Sequence, residues 1–361
     1  MKVLITGICG FVGSVLAARW KEADSHCQII GIDNLSRRGA WRNLDALRSM
    51  GIPISHGDIR NSSDVELCGP VDAIVDAAAH PSVLGGLGPE GSSRQLVENN
   101  LLGTVNLLEH CRRHRAAFVL LSTSRVYSIA PLASLPVEVK DGAYQPTGLD
   151  CTQGAKGLSP LGITPLGISE SFSTASPISL YGSTKLASEQ LALEYGYAFG
   201  FPVWINRCGV LAGAGQFGRA DQGIFAYWLH SWCEGKPLKY LGFDGQGSQV
   251  RDCLHPQDLV PLLAKQVTAR NDDRSPIINA SGGVASARSL RQLSDFCRAR
   301  WGDRNVESDR SHRKYDLPWV VLDSSLAHRT WNWTPTTTVE DILEGIAVFA
   351  EQNQGWIDVA N

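Results

Sequence analysis

Six short apolar runs, separated by stretches with helical spacing, occupy the first 210 residues of this 361-residue chain. The runs are rich in β-branched residues and bounded by glycine or polar residues, which is typical of buried strands. Strands that alternate with helices form a parallel sheet, because each right-handed crossover packs its helix back onto a face of that sheet. We therefore predict an α/β fold with a doubly wound, Rossmann-like parallel sheet and a smaller C-terminal α+β lobe. The predicted strands are residues 2–6, 28–33, 52–58, 72–80, 116–124 and 202–210.

A glycine-rich turn, GICGFVG, follows the first strand. Glycines let the backbone turn tightly at the start of a helix, where N–H groups attract a phosphate. The spacing GxxGxxG differs from the usual GxGxxG, so the turn by itself is a weak motif. Asp33 strengthens it, because an acid at the end of the second strand accepts the ribose hydroxyls of NAD. We predict NAD as the cofactor, bound in this turn by Gly7, Gly10, Phe11, Val12 and Gly13.

Other strand ends are predicted to complete the cofactor site. Arg37 and Arg38 leave NADP open as an alternative, since positive charge near Asp33 suits its additional phosphate. Asp58 is placed to hydrogen-bond the adenine edge, or alternatively to cap the next helix. Small residues end the fourth strand, where larger side chains would collide with a cofactor. The cofactor residues predicted here are Asn34, Asp58, Ile59, Ala77 and Ala78.

The segment SPISLYGSTKLASEQ carries a tyrosine and a lysine four residues apart. This spacing places Tyr181 and Lys185 on one face of a helix. A phenol with an ordinary pKa of about 10 is a poor base at neutral pH, and a nearby ammonium group would stabilise its phenolate. The same spacing also occurs on ordinary amphipathic helices, so the pair alone leaves both interpretations open.

Over essentially its whole length, the chain resembles the extended short-chain dehydrogenase/reductase family. The resemblance rests on the segments TGICGFVG, GDIR, LSTSRVY, YGSTKLASE and GQGSQVRDCLHPQDL. It implies a catalytic triad of Thr123, Tyr181 and Lys185, which favours a chemical role for the tyrosine–lysine pair. By this resemblance Tyr181 exchanges a proton with the substrate and Thr123 hydrogen-bonds the reacting hydroxyl. Lys185 would also hold the nicotinamide ribose.

The residues that follow Thr123 discriminate among the reactions of that family. Relatives that dehydrate hexoses carry Asp-Glu directly after the threonine, and sugar-acid decarboxylases carry a glutamate two residues after it, whereas this chain has Ser124 and Arg125. Elimination needs an acid/base pair, so we predict an NAD-dependent nucleotide-sugar epimerase. Within the family the resemblance is greatest to the CDP-paratose 2-epimerases, in DNLSRRGAWRNL and DQGIFAYW, which implies oxidation at C2 of a CDP-hexose. The alternatives are a UDP-hexose 4-epimerase, a dehydratase and a non-catalytic NAD-binding sensor.

Arginines in the second half are predicted to hold the nucleotide diphosphate of the substrate. A guanidinium presents paired N–H donors that match phosphate oxygens. Arg251 is the first candidate and Arg313 the second, with a surface ion pair as the alternative for each. Arg219 and Gln222, in the segment FGRADQG, are further candidate ligands.

Residues 128–176 interrupt the alternation of strands and helices with a segment rich in proline, glycine and serine. The segment leaves the end of the fifth strand, where open α/β sheets bind ligands, so we predict a lid over the site. A surface insertion without function is the alternative. We expect residues 1–205 to form the NAD-binding domain with this insertion. Residues 206–361 would form mainly the substrate-binding lobe, partly interleaved with the first domain.

Bulk properties restrict the partners. A net charge of −3 and a pI near 6.3 give no reason to expect nucleic acid or an anionic membrane surface. Nine cysteines without a CxxC or Cys/His cluster predict reduced thiols and no metal site. No segment approaches the roughly 18 uninterrupted apolar residues of a membrane span, so we expect a cytoplasmic protein. Segments 98–114 and 180–199 correspond to helices that pair across a two-fold axis in many relatives, which implies a homodimer, although packing within one subunit predicts the same pattern.

Overall fold

The computed structural model of the protein describes residues 1–87, 92–148, 161–270 and 274–360. Its strands are β1 (Lys2–Thr6), β2 (Gln28–Asp33), β3 (Ile54–His56), β4 (Ala73–Asp76), β5 (Ala117–Thr123), β6 (Val137–Lys140), β7 (Ala143–Pro146), β8 (Ile163–Thr164), β9 (Gly167–Ile168), β10 (Val203–Cys208), β11 (Val210–Leu211), β12 (Lys239–Leu241), β13 (Val250–Leu254), β14 (Ile277–Ala280), β15 (Ala287–Ser289), β16 (Glu307–Asp309) and β17 (Trp319–Val320). Its α-helices are α1 (Phe11–Ala23), α2 (Trp41–Ser49), α3 (Ser62–Glu66), α4 (Ser93–Val97), α5 (Gly103–His114), α6 (Ile129–Ala133), α7 (Ser179–Phe199), α8 (Ile224–Cys233), α9 (Val260–Thr268), α10 (Leu290–Trp301), α11 (Ser325–Trp331) and α12 (Val339–Gln352).

The central sheet has seven parallel strands in the order β14-β10-β5-β4-β1-β2-β3. This order confirms the predicted doubly wound parallel sheet. The chain builds outward from β1 to β3 and then crosses to β4 on the other side of β1. Such a reversal leaves a crevice outside the carboxyl ends of β1 and β4, which is where open α/β sheets bind ligands.

The strands are apolar on both faces because helices cover both sides of the sheet. Val3 and Ile5 pack in one core cluster with side chains of α1 and α9. Leu4 and Ile74 pack in a second cluster with side chains of α5 and α7. Successive residues of a strand point to opposite faces, so each strand contributes to both clusters and reads as a continuous apolar run.

The seventh strand, β14, comes from the second half of the chain. It extends the sheet beyond β10, where Ile205 lies opposite Ile277. Its apolar run is interrupted by Asn279, and β14 was not among the predicted strands. Helix α11 returns to the same sheet, because the rings of Trp204 and Trp331 meet edge to face at 4.8 Å. The domain boundary near residue 205 stays a prediction.

The C-terminal lobe is built on a second, four-stranded sheet of β11, β13, β15 and β17. Helices α8, α10 and α12 pack together beside it around the buried side chains of Trp228, Trp232 and Ile346. This arrangement is the predicted smaller α+β lobe. Within the described residues, no helix combines the length and apolar character needed to cross a membrane.

The insertion at 128–176 contains more regular structure than its sequence predicts. Its described residues form α6, the hairpin β6–β7 and the hairpin β8–β9. The apolar side chains of Leu132, Ile163 and Phe172 pack in one cluster with Trp319 and Leu322 of the lobe. Strands of two to four residues are too short for a detectable period, which is why the segment resembles an irregular loop.

The described residues of the insertion do not form the predicted lid, since none of them lines the cleft at the carboxyl ends of the central strands. The Ile168 N–H donates to the Val321 carbonyl at 2.8 Å, and the Asp323 N–H donates to the Ile168 carbonyl at 2.9 Å. The Glu170 carboxylate accepts the N–H of Asn279 in β14 at 2.6 Å. The described part is therefore a layer attached to the lobe and the sheet edge, and residues 149–160 lie outside the described residues.

Substituting Ile168→Ala tests whether this layer belongs to the core. Ile168 is fully buried, and we expect the substitution to lower the free energy of unfolding by about 2–5 kcal/mol, the range for removing a buried aliphatic side chain. Leu166→Ala, at the exposed turn of the same hairpin, should change it by less than about 0.5 kcal/mol. Urea unfolding followed by fluorescence measures both, and equal small effects would contradict the assignment.

Candidate active site

A cleft of about 760 Å³ opens at the carboxyl ends of the central strands. One wall consists of the loops after β1, β2, β4 and β5, and the C-terminal lobe supplies the other wall. Among the described residues, eight arginines and four aspartates line it. The surplus of positive charge suits ligands that carry phosphates.

The glycine turn brings β1 and α1 too close together for side chains. Gly7 has a φ of 61°, and a Cβ at that position would lie 3.0 Å from the Cα of Ala78. A Cβ at Gly13 would lie 2.3 Å from the Gly7 carbonyl oxygen. Gly10, the N-cap residue of α1, offers the helix no side-chain acceptor, so a phosphate has access to the N–H groups of the first turn. The residues of this turn that line the cleft are Gly7, Gly10, Phe11, Val12 and Gly13.

Asp33 lies in the cleft wall at the end of β2 and is largely buried. Its carboxylate accepts the N–H groups of Cys9 at 2.8 Å and Leu35 at 2.7 Å. Burial raises the pKa of Asp33, and these backbone donors oppose the rise. The carboxylate thus holds the glycine turn against β2, and its remaining lone pairs suit a ribose hydroxyl.

Asp58 is ion-paired and does not cap the next helix. Its carboxylate lies 2.6 Å from Nη2 of Arg60 and accepts Nδ2 of Asn34 at 2.9 Å. The hydrogen bond from Arg60 is the main cause that lowers the pKa of Asp58 to about 2. The side chain that caps α3 is Asn61, so the capping alternative for Asp58 is wrong. Asn34, Asp58 and Ile59 all line the cleft.

A buried carboxylate that the sequence analysis missed shapes the end of β4. Asp76 accepts the hydroxyls of Thr6 and Thr104, each at 2.8 Å. Oγ1 of Thr6 accepts the N–H groups of Ala77 at 3.1 Å and Ala78 at 3.0 Å. These bonds hold the two alanines where they line the cleft. Thr6 and Asp76 are opposite each other on neighbouring strands, a pairing that no local pattern reveals.

Thr123 and Tyr181 come together in the cleft wall, and Lys185 lies one helical turn further along α7. Burial raises the pKa of Tyr181 to about 12, and a hydrogen bond with the Thr123 side chain and the charge of Arg125 both oppose the rise. The side chain of Cys208 also lines this part of the cleft. Burial raises the pKa of its thiol to about 12, so it stays protonated at neutral pH.

Lys185 is almost fully buried among opposite charges. Burial lowers the pKa of Lys185, whereas Asp76 and Glu189 raise it. Glu189, another turn along α7, accepts Nη2 of Arg207 at 2.7 Å and Nε at 3.2 Å. It also accepts the hydroxyl of Ser122. This ion pair was not predicted from the sequence. Glu189, four residues after Lys185, was the available signal, but its partner Arg207 lies on β10.

The predicted substrate arginines Arg251 and Arg313 lie together in the wall formed by the lobe. Nη2 of Arg251 lies 2.7 Å from Asp316, with the two side chains only 11% and 9% exposed. This pair is buried, so the alternative of a surface ion pair is wrong for Arg251. Arg125, two residues after Thr123, is close enough for its charge to interact with both arginines.

The other two predicted substrate residues, Arg219 and Gln222, lie in a turn that lines the cleft near the cofactor residues. The Arg219 N–H donates to the Gln222 carbonyl at 2.7 Å. The turn is held by the Ser82 hydroxyl, which donates to Asp221 at 2.6 Å. Nη2 of Arg313 donates to the carbonyl of Ala220 in the same turn at 3.4 Å, so the cleft brings all four predicted residues to one space.

Comparison with known proteins shows which family the chain belongs to. A sequence model described as the NAD dependent epimerase/dehydratase family matches residues 3–281. The chain belongs to this family. Membership confirms the predicted cofactor, NAD, and the chain's own residues fit it, because the glycine turn leaves its phosphate-binding N–H groups accessible beside the Asp33 carboxylate.

Individual relatives match the chain over nearly their whole lengths. The chain is 29% identical to CDP-paratose 2-epimerase of Salmonella typhi, over 94% of this chain and 96% of that protein. It is 24% identical to UDP-glucuronate 4-epimerase of Thermodesulfobacterium geofontis, over 97% of this chain and 96% of that protein. The crystal structure of UDP-glucuronic acid 4-epimerase from Bacillus cereus, in complex with UDP-glucuronic acid and NAD, superposes with a TM-score of 0.75 at 24% identity. It covers 98% of this chain and 99% of its own, which shows a common fold.

Gly13→Ala tests the close approach in the glycine turn. Because the new Cβ meets backbone atoms, we expect the free energy of unfolding to fall by about 1–3 kcal/mol, the usual cost of overpacking, and bound NAD to be lost. Gly345→Ala is the matched control, since an added Cβ in α12 meets nothing within 4 Å. The measurement is the NAD released on denaturation per protein chain; wild-type NAD content in Gly13→Ala would contradict the assignment.

Proposed function

We propose that this chain is an NAD-dependent nucleotide-sugar epimerase, with C2 of a CDP-hexose as the favoured position. One sugar carbinol is oxidised to a ketone, which is then reduced on its opposite face. The observation that carries the proposal is the contact of Thr123 with Tyr181 in the cleft wall, with Lys185 one turn away and no carboxylate at the two positions after Thr123. Arg251 and Arg313 would hold the nucleotide diphosphate.

Each residue of the triad has a role that its surroundings support. When bound, NAD would supply the hydride acceptor and donor for this reaction. Tyr181 takes the hydroxyl proton as the carbinol is oxidised and donates it to the ketone oxygen during reduction. Thr123, which lines the cleft together with the phenol, orients the carbinol. Burial lowers the pKa of Lys185 and the charges of Asp76 and Glu189 oppose that change; in its ammonium form Lys185 would stabilise the phenolate and hold the nicotinamide ribose.

Dehydration is the less favoured reaction because the reacting end of the cleft lacks an acid/base pair. Among the described residues that line the cleft, the carboxylates are Asp33, Asp58, Asp221 and Asp316. Each is engaged by other groups: backbone N–H groups, Arg60, the Ser82 hydroxyl and Arg251, respectively. Position 124 carries a serine and position 125 an arginine, where dehydrating relatives are expected to carry Asp-Glu.

The nucleotide and the reacting carbon are the finer parts of the proposal. The likeness to CDP-paratose 2-epimerase of Salmonella typhi, over nearly the full length of both chains, supports CDP and C2. The second candidate is a UDP-hexose 4-epimerase, supported by the likeness to UDP-glucuronate 4-epimerases. It would use the same triad on a sugar bound in another orientation. A non-catalytic sensor is disfavoured, since it would not need Tyr181, Lys185 and Thr123 together.

Substituting Tyr181→Phe tests the proposed reaction. We expect the rate of sugar inversion to fall by roughly 10²–10⁴, the usual contribution of a general acid–base group, while NAD remains bound. The assay incubates NAD-loaded protein with CDP- and UDP-hexoses and identifies the inverted carbon by NMR. The matched control is Tyr144→Phe, a tyrosine of β7 that does not line the cleft.

Unchanged turnover in Tyr181→Phe would contradict the assignment of the proton-transfer group. A wild-type protein that carries NAD but inverts none of these sugars would contradict the epimerase proposal itself. Inversion only at C4 of UDP-hexoses would replace the favoured substrate with the second candidate.

We also infer a homodimer, in which α7 and residues 98–114 meet their counterparts. The support is a set of apolar side chains on these helices that are exposed in the single chain. Tyr197 is 91% exposed and would lose that exposure in such an interface. The other exposed apolar side chains on these segments are Leu102, Leu180, Leu191 and Phe199.

Leu191→Glu tests this interface. Burying a carboxylate without a partner is unfavourable, so we expect the variant to be monomeric at concentrations where the wild type is a dimer. Light scattering after size-exclusion chromatography measures the mass. Leu67→Glu is the control, because Leu67 is 82% exposed beyond α3. A wild-type monomer, or a dimer in both variants, would contradict the inferred interface.

A further inference from the structure

Arg125 occupies the reacting end of the cleft, and the family's triad does not include it. The backbone of Arg125 contacts Thr123 on one side and the helix of Tyr181 on the other. The Arg125 N–H donates to Oγ1 of Thr123 at 3.2 Å. A Cβ at Gly182 would lie 2.2 Å from the Arg125 carbonyl oxygen, so the glycine lets the helix that carries Tyr181 pack directly on this turn.

The guanidinium of Arg125 enters the cleft without a protein partner. Within residues 1–87, 92–148, 161–270 and 274–360, it makes no hydrogen bond or ion pair. Burial lowers the pKa of Arg125 to about 10, the charges of Arg251 and Arg313 lower it as well, and Asp316 opposes them. Nη2 of Arg251 already binds Asp316 at 2.7 Å. Asp316 is therefore already engaged by Arg251, and the charge of Arg125 lies near two further guanidiniums.

A shielded positive charge without a counter-ion is unfavourable, so this cluster is suited to an anion. A guanidinium presents parallel N–H donors that match two oxygens of one phosphate. The nucleotide sugar of the proposed function brings two phosphates into this cleft. The phosphate linked to the sugar is the nearer of the two to every carbon of the ring.

We propose that Arg125 binds the sugar-linked phosphate of the substrate, directly beside the carbinol whose proton Tyr181 removes. The inference rests on the proposed function and deepens it, because it assigns one phosphate to one arginine. Arg251 and Arg313 then hold the diphosphate from its other side.

This placement favours reaction at C2. The sugar-linked phosphate is attached through oxygen to C1, and C2 is the carbon bonded directly to C1. C4 lies across the ring, so a sugar that presents C4 to Tyr181 directs its phosphate away from the phenol. Arg125 lies close to Tyr181 and to the arginines of the lobe, which fits a phosphate beside the reacting carbon.

The same placement explains why a cation is needed at position 125. A phosphate beside Tyr181 disfavours the phenolate, because like charges repel. Arg125 neutralises that phosphate and itself lowers the pKa of Tyr181. Loss of Arg125 should therefore weaken substrate binding and also shift the pH dependence of turnover toward higher pH.

Binding of nucleoside monophosphates and diphosphates to the NAD-loaded protein tests the proposal without requiring turnover. The probes are CMP and CDP, with UMP and UDP in parallel, measured by titration calorimetry on the wild type and on Arg125→Met. We expect the variant to lose about tenfold or more in affinity for the diphosphate, as for a hydrogen bond to a charged group. Affinity for the monophosphate should change by less than about twofold. The affinity of Arg125→Lys for the diphosphate should lie between those of the wild type and Arg125→Met, since lysine keeps the charge and loses the paired donors.

Arg288→Met is the matched control. Arg288 lines the same cleft, but its guanidinium is already bound to Glu340 at 2.5 Å, so its loss should leave diphosphate affinity unchanged. Thermal unfolding and NAD content verify that each variant is folded. An unchanged diphosphate affinity in Arg125→Met, or an equal loss for both nucleotides, would overturn the proposal.

A further binding measurement shows whether the anion that Arg125 binds is the phosphate or a carboxylate on the sugar. If Arg125→Met weakens binding of UDP-glucuronate but leaves UDP and UDP-glucose unaffected, the anion is a carboxylate and the phosphate assignment is wrong. If the wild type binds the diphosphates through Arg125 and yet inverts no sugar, the proposed function fails and this inference stands.

Discussion

The buried ion pair between Glu189 and Arg207 holds the parts of the site in register. Glu189 lies on the helix that carries Tyr181 and Lys185, and Arg207 lies on β10. Ser122 donates to the same carboxylate from the strand that ends at Thr123. Removing one partner of a buried pair costs about 3–5 kcal/mol, because the other charge is left uncompensated. The contact between Thr123 and Tyr181 therefore depends on an interaction that touches neither substrate nor cofactor.

The ion pair also connects the site to the insertion. The Arg207 guanidinium lies 5.1 Å from the centroid of the Tyr127 ring, and the Tyr127 hydroxyl donates to Asn279 at 2.6 Å. The N–H of Asn279 in turn donates to Glu170 of the insertion at 2.6 Å. A continuous set of polar contacts thus runs from the triad helix through β10 and β14 to the insertion. The described residues of the insertion contact the sheet that carries the triad, and they do not line the cleft.

Local sequence patterns were sufficient for the main sheet and for the cofactor half of the site. Continuous apolar runs and the glycine turn are properties of a few adjacent residues, so six of the seven central strands and the placement of Asp33 could be predicted. Thr123 was found only through a family resemblance. The pairing of Glu189 with Arg207 and the location of Arg125 among other arginines depend on contacts between distant elements. Strand β14 carries Asn279 within its apolar run, and the hairpins of the insertion consist of strands of two to four residues.

Transient oxidation with return of the same hydride is the central claim about this chain. It is tested most directly with a CDP-hexose that carries deuterium at C2, incubated in ordinary water with the NAD-loaded protein and analysed by NMR and mass spectrometry. The account predicts a product inverted at C2 that retains the deuterium at that carbon. A product that has exchanged the deuterium for solvent hydrogen, or that has lost a hydroxyl group, would contradict it.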